Sequence, residues 1–257
     1  MSHAAALRVT GLDLSFGGLK ALRGIELQAG PGQVTGLIGP NGAGKTSLFN
    51  CLTGLYRPQK GSVVLGETEL VGKSAAQRAR LGVARTFQRP ALCDELTVLE
   101  NVSLGSSARG QGSWIDAFIP LPRSRAGRRE LQERSMQTLE VLGLAKYSQE
   151  TMASVSPGIR RMVEIARALA AQPELLLLDE PAAGLNSAET RNLLQLIRNI
   201  VTPKLAVVLV EHDMELVMNL CDKIYVLNFG ELIASGTPEE VRHNPEVIRV
   251  YLGDDDQ

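Results

Sequence analysis

The most restrictive feature of the sequence is a glycine-rich turn that follows a short apolar run and precedes a helical pattern. The turn consists of Gly39, Pro40, Asn41, Gly42, Ala43, Gly44, Lys45 and Thr46. The apolar run at residues 34–38 predicts a buried strand, and residues 47–55 predict a helix. This arrangement matches the phosphate-loop pattern, in which glycines let backbone N–H groups face phosphates at a helix N-terminus. A glycine turn that merely closes a strand is the weaker interpretation in this setting.

The residues of the loop also indicate its ligand. We expect Lys45 to reach the β- and γ-phosphates of a nucleotide and Thr46 to hold Mg²⁺, and we count Ser47 among the nucleotide-binding residues. The N-terminus of the following helix adds a partial positive charge. The chain has no Asn-Lys-X-Asp segment of the kind that recognises guanine. The predicted ligands are therefore ATP and Mg²⁺.

Composition narrows the class of protein. Apolar residues form 44% of the 257 positions, which is enough for a packed core. The formal net charge of −1 gives no reason to expect nucleic acid as a partner. The three cysteines are far apart, which favours a reducing compartment over a disulfide framework. No apolar run approaches the ~18 residues of a membrane-spanning helix, so any transport pathway would be another polypeptide.

The other apolar runs predict an α/β fold with a mainly parallel central sheet. Residues 175–178 and 205–210 are apolar throughout, as in parallel strands that are buried on both faces. Glycine-interrupted runs near the N-terminus predict instead an antiparallel β-subdomain. These runs lie at residues 7–16, 25–27 and 62–65.

Composition shifts suggest the domain organisation. We expect one domain over residues 4–252, with the β-subdomain at about 5–35 and 60–85 and an acidic tail at 253–257. A polar and basic stretch predicts an inserted helical subdomain at about 95–165.

A last helix is predicted near the C-terminus. Thr237, Pro238 and Glu240 match an N-cap, a first-turn proline and a capping-box glutamate. We expect this helix to run towards Pro245.

Two acids and a histidine follow the later buried strands. Asp179 and Glu180 end the strand at 175–178, and His212 follows the strand at 205–210. The carboxyl ends of parallel strands form the ligand-binding edge of an open α/β sheet. We therefore expect Asp179 to hold Mg²⁺, Glu180 to accept a proton from the attacking water, and His212 to lie near the γ-phosphate. Taken singly, the acids could be solvated loop residues and the histidine structural.

With these motifs, the chain resembles the ATP-binding cassette (ABC) family over nearly its whole length. The resemblance implies that Gln88, in Arg85-Thr86-Phe87-Gln88, contacts both Mg²⁺ and a membrane subunit. It also implies that Phe16 stacks on adenine, although a core phenylalanine is the alternative for that residue. The fold implied is an ABC-type phosphate-loop ATPase with an antiparallel β-subdomain and an inserted helical subdomain.

A signature segment precedes the strand at 175–178 in this family. Here it reads Val155-Ser156-Pro157-Gly158-Ile159, with Ser156 and Gly158 matching the family pattern. Pro157 and Ile159 stand where the family usually has a glycine and a glutamine. Ser156 can cap the following helix and Pro157 suits its first turn. The resemblance implies that Ser156 and Gly158 bind the γ-phosphate of ATP held by a second cassette.

The segment after Glu180 and the C-terminus indicate a subgroup. Pro181-Ala182-Ala183-Gly184-Leu185-Asn186 ends in asparagine rather than aspartate, and Val250-Tyr251-Leu252-Gly253 precedes the acidic tail. Together with the Arg85 to Gln88 stretch and the basic insertion after Gly112, these features are similar to cassettes of branched-chain (hydrophobic) amino acid importers. The same subgroup includes cassettes for urea and small amides. The resemblance implies a peripheral subunit at the cytoplasmic face of the inner or plasma membrane. Its implied partners are a second cassette, identical or related, integral membrane permease subunits and, indirectly, an extracytoplasmic substrate-binding protein.

Three other functions share parts of this pattern. A soluble cassette protein acting on ribosomes or DNA usually carries two cassettes or long coiled coils, and this chain has one phosphate loop. A small-molecule kinase or guanine-nucleotide switch would show an acceptor lid or a guanine-reading segment. A cassette that binds without hydrolysis is suggested by Pro157 and Ile159. The residues that argue against it are Lys45, Gln88, Glu180 and His212.

Overall fold

The computed structural model describes residues 6–86, 92–106 and 122–252. In these ranges the strands are β1 (Leu7–Phe16), β2 (Leu19–Ala29), β3 (Val34–Ile38), β4 (Lys60–Leu65), β5 (Thr68–Glu69), β6 (Val83–Arg85), β7 (Leu175–Asp179), β8 (Ala206–Val210), β9 (Lys223–Asn228) and β10 (Glu231–Gly236). The helices are α1 (Lys45–Thr53), α2 (Ala75–Arg80), α3 (Val98–Ser106), α4 (Pro122–Val141), α5 (Pro157–Ala170), α6 (Ser187–Ile200), α7 (Met214–Leu220), α8 (Pro238–Arg242) and α9 (Pro245–Leu252). Short 3-10 turns lie at Ala145–Tyr147 and Met152–Ser154.

The first sheet is antiparallel, with the strand order β2-β1-β4-β5. Along β1, buried Leu7 and Val9 alternate with exposed Arg8 and Thr10. This alternation is expected for a sheet that packs one face on a core and leaves the other to solvent. Its buried side chains share one hydrophobic cluster with Phe49 and other residues of α1. The helix after the phosphate loop is therefore fixed in the core.

The second sheet has six strands in the order β10-β9-β3-β8-β7-β6, and only the β9–β10 pair is antiparallel. Every residue of β3, β7 and β8 is buried. One face of this sheet packs in the cluster that contains α1, and the other packs against α5 to α9. The continuous apolar runs in the sequence follow from this two-sided burial, as predicted.

The order of the strands brings the predicted site residues to one edge. Strands β3, β8 and β7 are parallel neighbours, so the segments that follow them leave the sheet side by side. These segments are the phosphate loop, the pair Glu211 and His212, and the loop that starts with Glu180. Strand β6 is parallel to β7 and ends at the same edge with Arg85.

Helices α3, α4 and α5 form a separate cluster beside this edge. Buried Val98, Leu139 and Val163, one from each helix, belong to its apolar centre. Strand β6 falls inside the range predicted for the β-subdomain, yet it pairs with β7 in the parallel sheet. The predicted domain and subdomain boundaries stay predictions.

The C-terminal region differs from the expectation of one last helix. The capping box of Thr237 and Glu240 is present, but α8 ends at Arg242. Asn244 then accepts hydrogen bonds from the N–H groups of Glu246 (2.9 Å) and Val247 (3.4 Å), and α9 begins at Pro245. The prediction of a single helix that ends near Pro245 was wrong because Asn244 and Pro245 are themselves an N-cap and a first-turn proline.

Candidate active site

The phosphate loop is held by close backbone contacts that only glycine permits. Gly39 has φ of 151°, and a Cβ there would collide with the carbonyl oxygen of Leu227. Gly44 has φ of 108°, and its Cβ would lie 2.8 Å from the carbonyl oxygen of Ala21. The N–H of Gly230 donates to the carbonyl of Ala43 (2.9 Å). The loop is therefore pressed against β2 and the β9–β10 turn, which fixes its shape before any ligand binds.

Helix α1 begins without a side-chain cap. Its N-cap is Gly44, which has no side chain to accept a bond from the first-turn N–H groups of Lys45, Thr46 and Ser47. By contrast, α2, α5, α6, α7 and α8 are capped by side-chain oxygens of Ser74, Ser156, Asn186, Asp213 and Thr237. An uncapped helix N-terminus combines N–H donors with the positive end of the helix dipole, which suits a phosphate.

The ammonium group of Lys45 lies folded onto this loop. Its Nζ donates to the carbonyl oxygens of Gly39 (2.6 Å) and Pro40 (3.0 Å). Burial lowers the pKa of Lys45, and the negative charges of Glu180 and Asp179 act in the opposite direction. This electrostatic coupling places the phosphate-loop lysine and the two acids in the same site.

Asp179 is buried and paired with Arg85, a residue for which the sequence predicted no role in the site. Its Oδ2 accepts a hydrogen bond from Nη2 of Arg85 at 2.7 Å. Its backbone N–H donates to the hydroxyl of Thr86 (3.3 Å). The Asp179 carboxylate and the Thr46 hydroxyl are hard oxygen donors of the type that Mg²⁺ prefers. The residues therefore fit a divalent cation.

Glu180 adopts a backbone conformation that is rare for a residue with a side chain. Its φ is 44°, in the left-handed region. Its N–H donates to the carbonyl of Val210 (2.9 Å), and its own carbonyl accepts from Nη2 of buried Arg161 (3.4 Å). Such a conformation costs on the order of 1–3 kcal/mol and persists only where the surroundings fix it. Contacts from β8 and α5 therefore determine where Glu180 stands.

His212 and the buried Glu211 complete this edge of the sheet. The His212 side chain is 65% exposed, and its Nδ1 lies 3.8 Å from Oε2 of Glu211. Glu211 accepts hydrogen bonds from the N–H groups of Ala182 (2.9 Å) and His212 (3.3 Å). Burial raises the pKa of Glu211, and the nearby Glu180 raises it further, whereas its backbone hydrogen bonds and His212 oppose the shift. Glu211 thus ties the loop after Glu180 to the segment that carries His212.

Phe16 lies at the end of β1 as an exposed aromatic surface. Its side chain meets the Tyr56 ring edge-on, with 5.1 Å between the centroids and 75° between the planes. Phe16 is 46% exposed, so the alternative of a core phenylalanine does not hold. An exposed aromatic pair of this kind can stack on a planar base.

The signature segment forms the start of α5 as predicted. The hydroxyl of Ser156 accepts the N–H of Ile159 (3.3 Å), and Pro157 occupies the first turn. Gly158 is buried, and a Cβ there would collide with the Glu189 side chain at the start of α6. Gly158 therefore leaves room for the Glu189 side chain against the start of α5.

Comparisons with known proteins place this geometry in a family. Residues 22–183 match the ABC transporter family, and residues 231–257 match the family described as branched-chain amino acid ATP-binding cassette transporter. The chain belongs to the ABC transporter family.

Individual relatives resemble this cassette over its whole length. The high-affinity branched-chain amino acid transport ATP-binding protein LivG of Escherichia coli is 43% identical over 96% of the cassette and 98% of the relative. The corresponding protein BraF of Pseudomonas aeruginosa is 42% identical over the same shares. A solved ABC transporter cassette in its ADP conformation is 31% identical, with a TM-score of 0.85 over 97% of this cassette and 99% of that chain.

These likenesses confirm the predicted resemblance, the ABC-type fold and an ATPase coupled to transport. Nucleotide binding follows from membership of the family. A cassette of a transporter also works with membrane permease subunits. Across the described residues, none of the helices combines the length and apolar character that spanning a bilayer requires.

The structure locates most, but not all, of the site residues predicted from the sequence. Lys45, Thr46, Asp179, Glu180 and His212 do lie at one edge of the parallel sheet. Gln88 lies outside the described residues, so its predicted contacts with Mg²⁺ and a membrane subunit stay predictions. Three residues around the site were not singled out for it from the sequence: Arg85, Tyr56 and Glu211. Glu211 could have been noticed as a charged residue directly after an apolar strand.

Proposed function

We propose that this cassette binds Mg²⁺ and ATP at its phosphate loop, hydrolyses the ATP, and so powers the uptake of branched-chain amino acids. One observation carries the proposal. The phosphate loop and the segments of Asp179, Glu180 and His212 meet at one sheet edge in a chain that resembles branched-chain amino acid cassettes over 96% of its length.

Binding of ATP begins at the uncapped start of α1. The first-turn N–H groups and the loop N–H groups receive the phosphates, and Lys45 turns from the carbonyls of Gly39 and Pro40 to the β- and γ-phosphates. Phe16, in contact with Tyr56, stacks on the adenine. Thr46, Asp179 and Gln88 would hold Mg²⁺, which would supply positive charge to the phosphates when bound.

Hydrolysis uses the two residues that follow β7 and β8. Glu180 accepts the proton of the water that attacks the γ-phosphate, and a hydrogen bond to Val210 fixes its backbone at the end of β7. His212 contacts the γ-phosphate from the neighbouring segment. Glu211 sets the spacing of the two because it hydrogen-bonds to both segments.

In the assembled transporter this cassette pairs with a second one, either an identical chain or a related subunit. Ser156 and Gly158 at the start of α5 then contact the γ-phosphate of the nucleotide held by the partner. The pair acts at the cytoplasmic face of the membrane on integral permease subunits, which receive the amino acid from an extracytoplasmic binding protein. The names of the relatives support the role in branched-chain amino acid transport within this proposal.

The test is uptake of labelled leucine, isoleucine, valine and urea by source cells that carry either the normal chain or Glu180→Gln. The substitution keeps the size of the side chain but removes the base, so uptake of the branched-chain amino acids should fall at least ~100-fold. Glu174→Gln is the matched control, since Glu174 is exposed and precedes the opposite end of β7. If only urea uptake falls, urea replaces the branched-chain amino acids as the proposed substrate. If uptake of all four compounds is unchanged, the proposed transport role is refuted.

A further inference from the structure

Arg85 is an unusual neighbour for a residue that is proposed to hold a divalent cation. The Nη2 of Arg85 lies 2.7 Å from Oδ2 of Asp179, and the two side chains are only 8% and 10% exposed. At such burial the pair is weakly screened by solvent and salt. The Arg85 guanidinium therefore acts on Asp179 as a strong, permanent counter-charge.

The guanidinium is anchored on the helix that follows the phosphate loop. Its Nη1 donates to Oδ1 of Asn50 (2.7 Å) and to the hydroxyl of Thr53 (3.4 Å), and its Cζ lies 5.5 Å from the centre of the Phe49 ring. All three of these partners belong to α1. Because α1 is packed between the two sheets, the charge of Arg85 is fixed relative to the phosphate loop.

This position changes the electrostatics of the site before any metal arrives. Asp179 ends β7 and Glu180 follows it, at the same sheet edge where the phosphate loop leaves β3, so their negative charges lie near the phosphate site. Unopposed, they would repel the phosphates of a metal-free nucleotide. A fixed positive charge beside Asp179 removes much of that repulsion, and the same charge also opposes the arrival of Mg²⁺ at the carboxylate.

We propose that Arg85 is a built-in counter-ion of Asp179 that lets the cassette bind ATP without metal and limits the gain in affinity that Mg²⁺ brings. The inference rests on the proposed role of Asp179 as a metal ligand. Arg85 is a positioning residue here, since it acts through Asp179. The measurable quantity is the metal gain, defined as the dissociation constant for ATP in EDTA divided by that in Mg²⁺.

The experiment measures binding of a fluorescent ATP analogue to wild type, Arg85→Gln and Arg85→Lys, each in EDTA and in Mg²⁺. In Arg85→Gln the affinity in EDTA should fall about tenfold, because one nearby, buried positive charge is lost. The affinity in Mg²⁺ should change much less, since Mg²⁺ then binds Asp179 without opposition, so the metal gain rises about tenfold. Arg85→Lys keeps the charge and should leave the metal gain within about twofold of wild type.

Two results would overturn the inference. Equal losses of affinity in EDTA and Mg²⁺ would show that Arg85 only supports the fold, and a metal gain in Arg85→Lys as high as in Arg85→Gln would show that its charge is irrelevant. If Arg85→Gln does not fold, Arg85→Lys still decides, because a changed metal gain with the charge retained contradicts the proposal. Arg134→Gln, on the exposed face of α4, controls for loss of one positive charge.

Asp179→Asn separates failure of this inference from failure of the proposed site. If Asp179→Asn keeps the metal gain of wild type, Asp179 is not a metal ligand and the proposed function must be revised. If Asp179→Asn changes the metal gain while Arg85→Gln does not, only the role of Arg85 is refuted. Binding of Mn²⁺ without nucleotide, followed by electron paramagnetic resonance, adds a direct readout and should be tighter in Arg85→Gln.

Discussion

Helices α1 and α5 begin in opposite ways, although both starts are proposed to face ATP. The N-cap of α1 is Gly44, which offers no side chain, whereas Ser156 caps α5 with its own hydroxyl. The first turn of α1 therefore keeps its N–H donors for a ligand of the same chain. The first turn of α5 has one donor satisfied, and Pro157 removes another. The difference suggests that α1 binds nucleotide by itself and that α5 adds weaker contacts when a second cassette closes on it.

The largest effect is expected at Lys45. Among the described residues in the first turn of α1, it is the one with a cationic side chain. Lys45→Ala should lower the affinity for ATP by about 2–4 kcal/mol, or ~30- to 1,000-fold, because a charge-assisted contact is lost. Calorimetric titration with ATP measures the change. Lys60→Ala is the control, because Lys60 is exposed and its ion pair with Asp13 is long, at 3.9 Å. Normal ATP affinity in Lys45→Ala would contradict the role given to α1.

The next effect concerns the shape of the uncapped turn. Gly44→Ala places a Cβ 2.8 Å from the carbonyl of Ala21 in a backbone with φ of 108°, so the free energy of unfolding should fall by at least about 2 kcal/mol. Gly42→Ala is the matched control, because φ is 79° there but a Cβ meets nothing within 4 Å. Its cost should be about 1 kcal/mol. Urea unfolding measures both, and equal losses would show that the contact with Ala21 is unimportant.

Local chemistry made both helix starts predictable from the sequence. Glycines in the phosphate loop and the Ser156-Pro157 pair act on their immediate neighbours, so their effect is visible in the order of residues. The apolar runs of β3, β7 and β8 were equally informative, because burial on both faces requires an unbroken apolar strand. Sequence order alone then placed Asp179 and Glu180 at the end of β7.

Contacts between distant segments were not predictable in the same way. Arg85 and Asp179 are 94 positions apart and meet only because β6 pairs with β7. Tyr56, in the segment between α1 and β4, contacts Phe16 at the end of β1, and no periodicity in the sequence indicates that contact. The left-handed backbone of Glu180 is likewise a product of its surroundings, since β8 and Arg161 hold it from two sides.

A smaller effect is expected at the cap of α5. Ser156→Ala removes the acceptor for the N–H of Ile159, so the free energy of unfolding should fall by about 1 kcal/mol. Ser156→Thr retains a hydroxyl and should stay within about 0.5 kcal/mol of wild type. Urea unfolding of both variants measures the difference. If Ser156→Ala is as stable as wild type, the hydroxyl does not cap α5 in solution, and the contrast with α1 disappears.

The smallest effect tests whether the start of α5 faces a second nucleotide. Pro157→Ala gives the first turn an additional N–H donor and costs about 0.5 kcal/mol of stability through lost preorganisation. In a Glu180→Gln background, which should bind ATP without turnover, ATP-dependent association of two chains should tighten roughly two- to tenfold, the value of one hydrogen bond. Sedimentation velocity with and without ATP measures the association.

Pro245→Ala is the matched control, because Pro245 also follows a capping residue, Asn244, but begins α9. It should cost similar stability and leave association unchanged. Equal association in both variants would mean that the first turn of α5 does not meet the partner's phosphates, and the opposite starts of the two helices would then reflect folding alone.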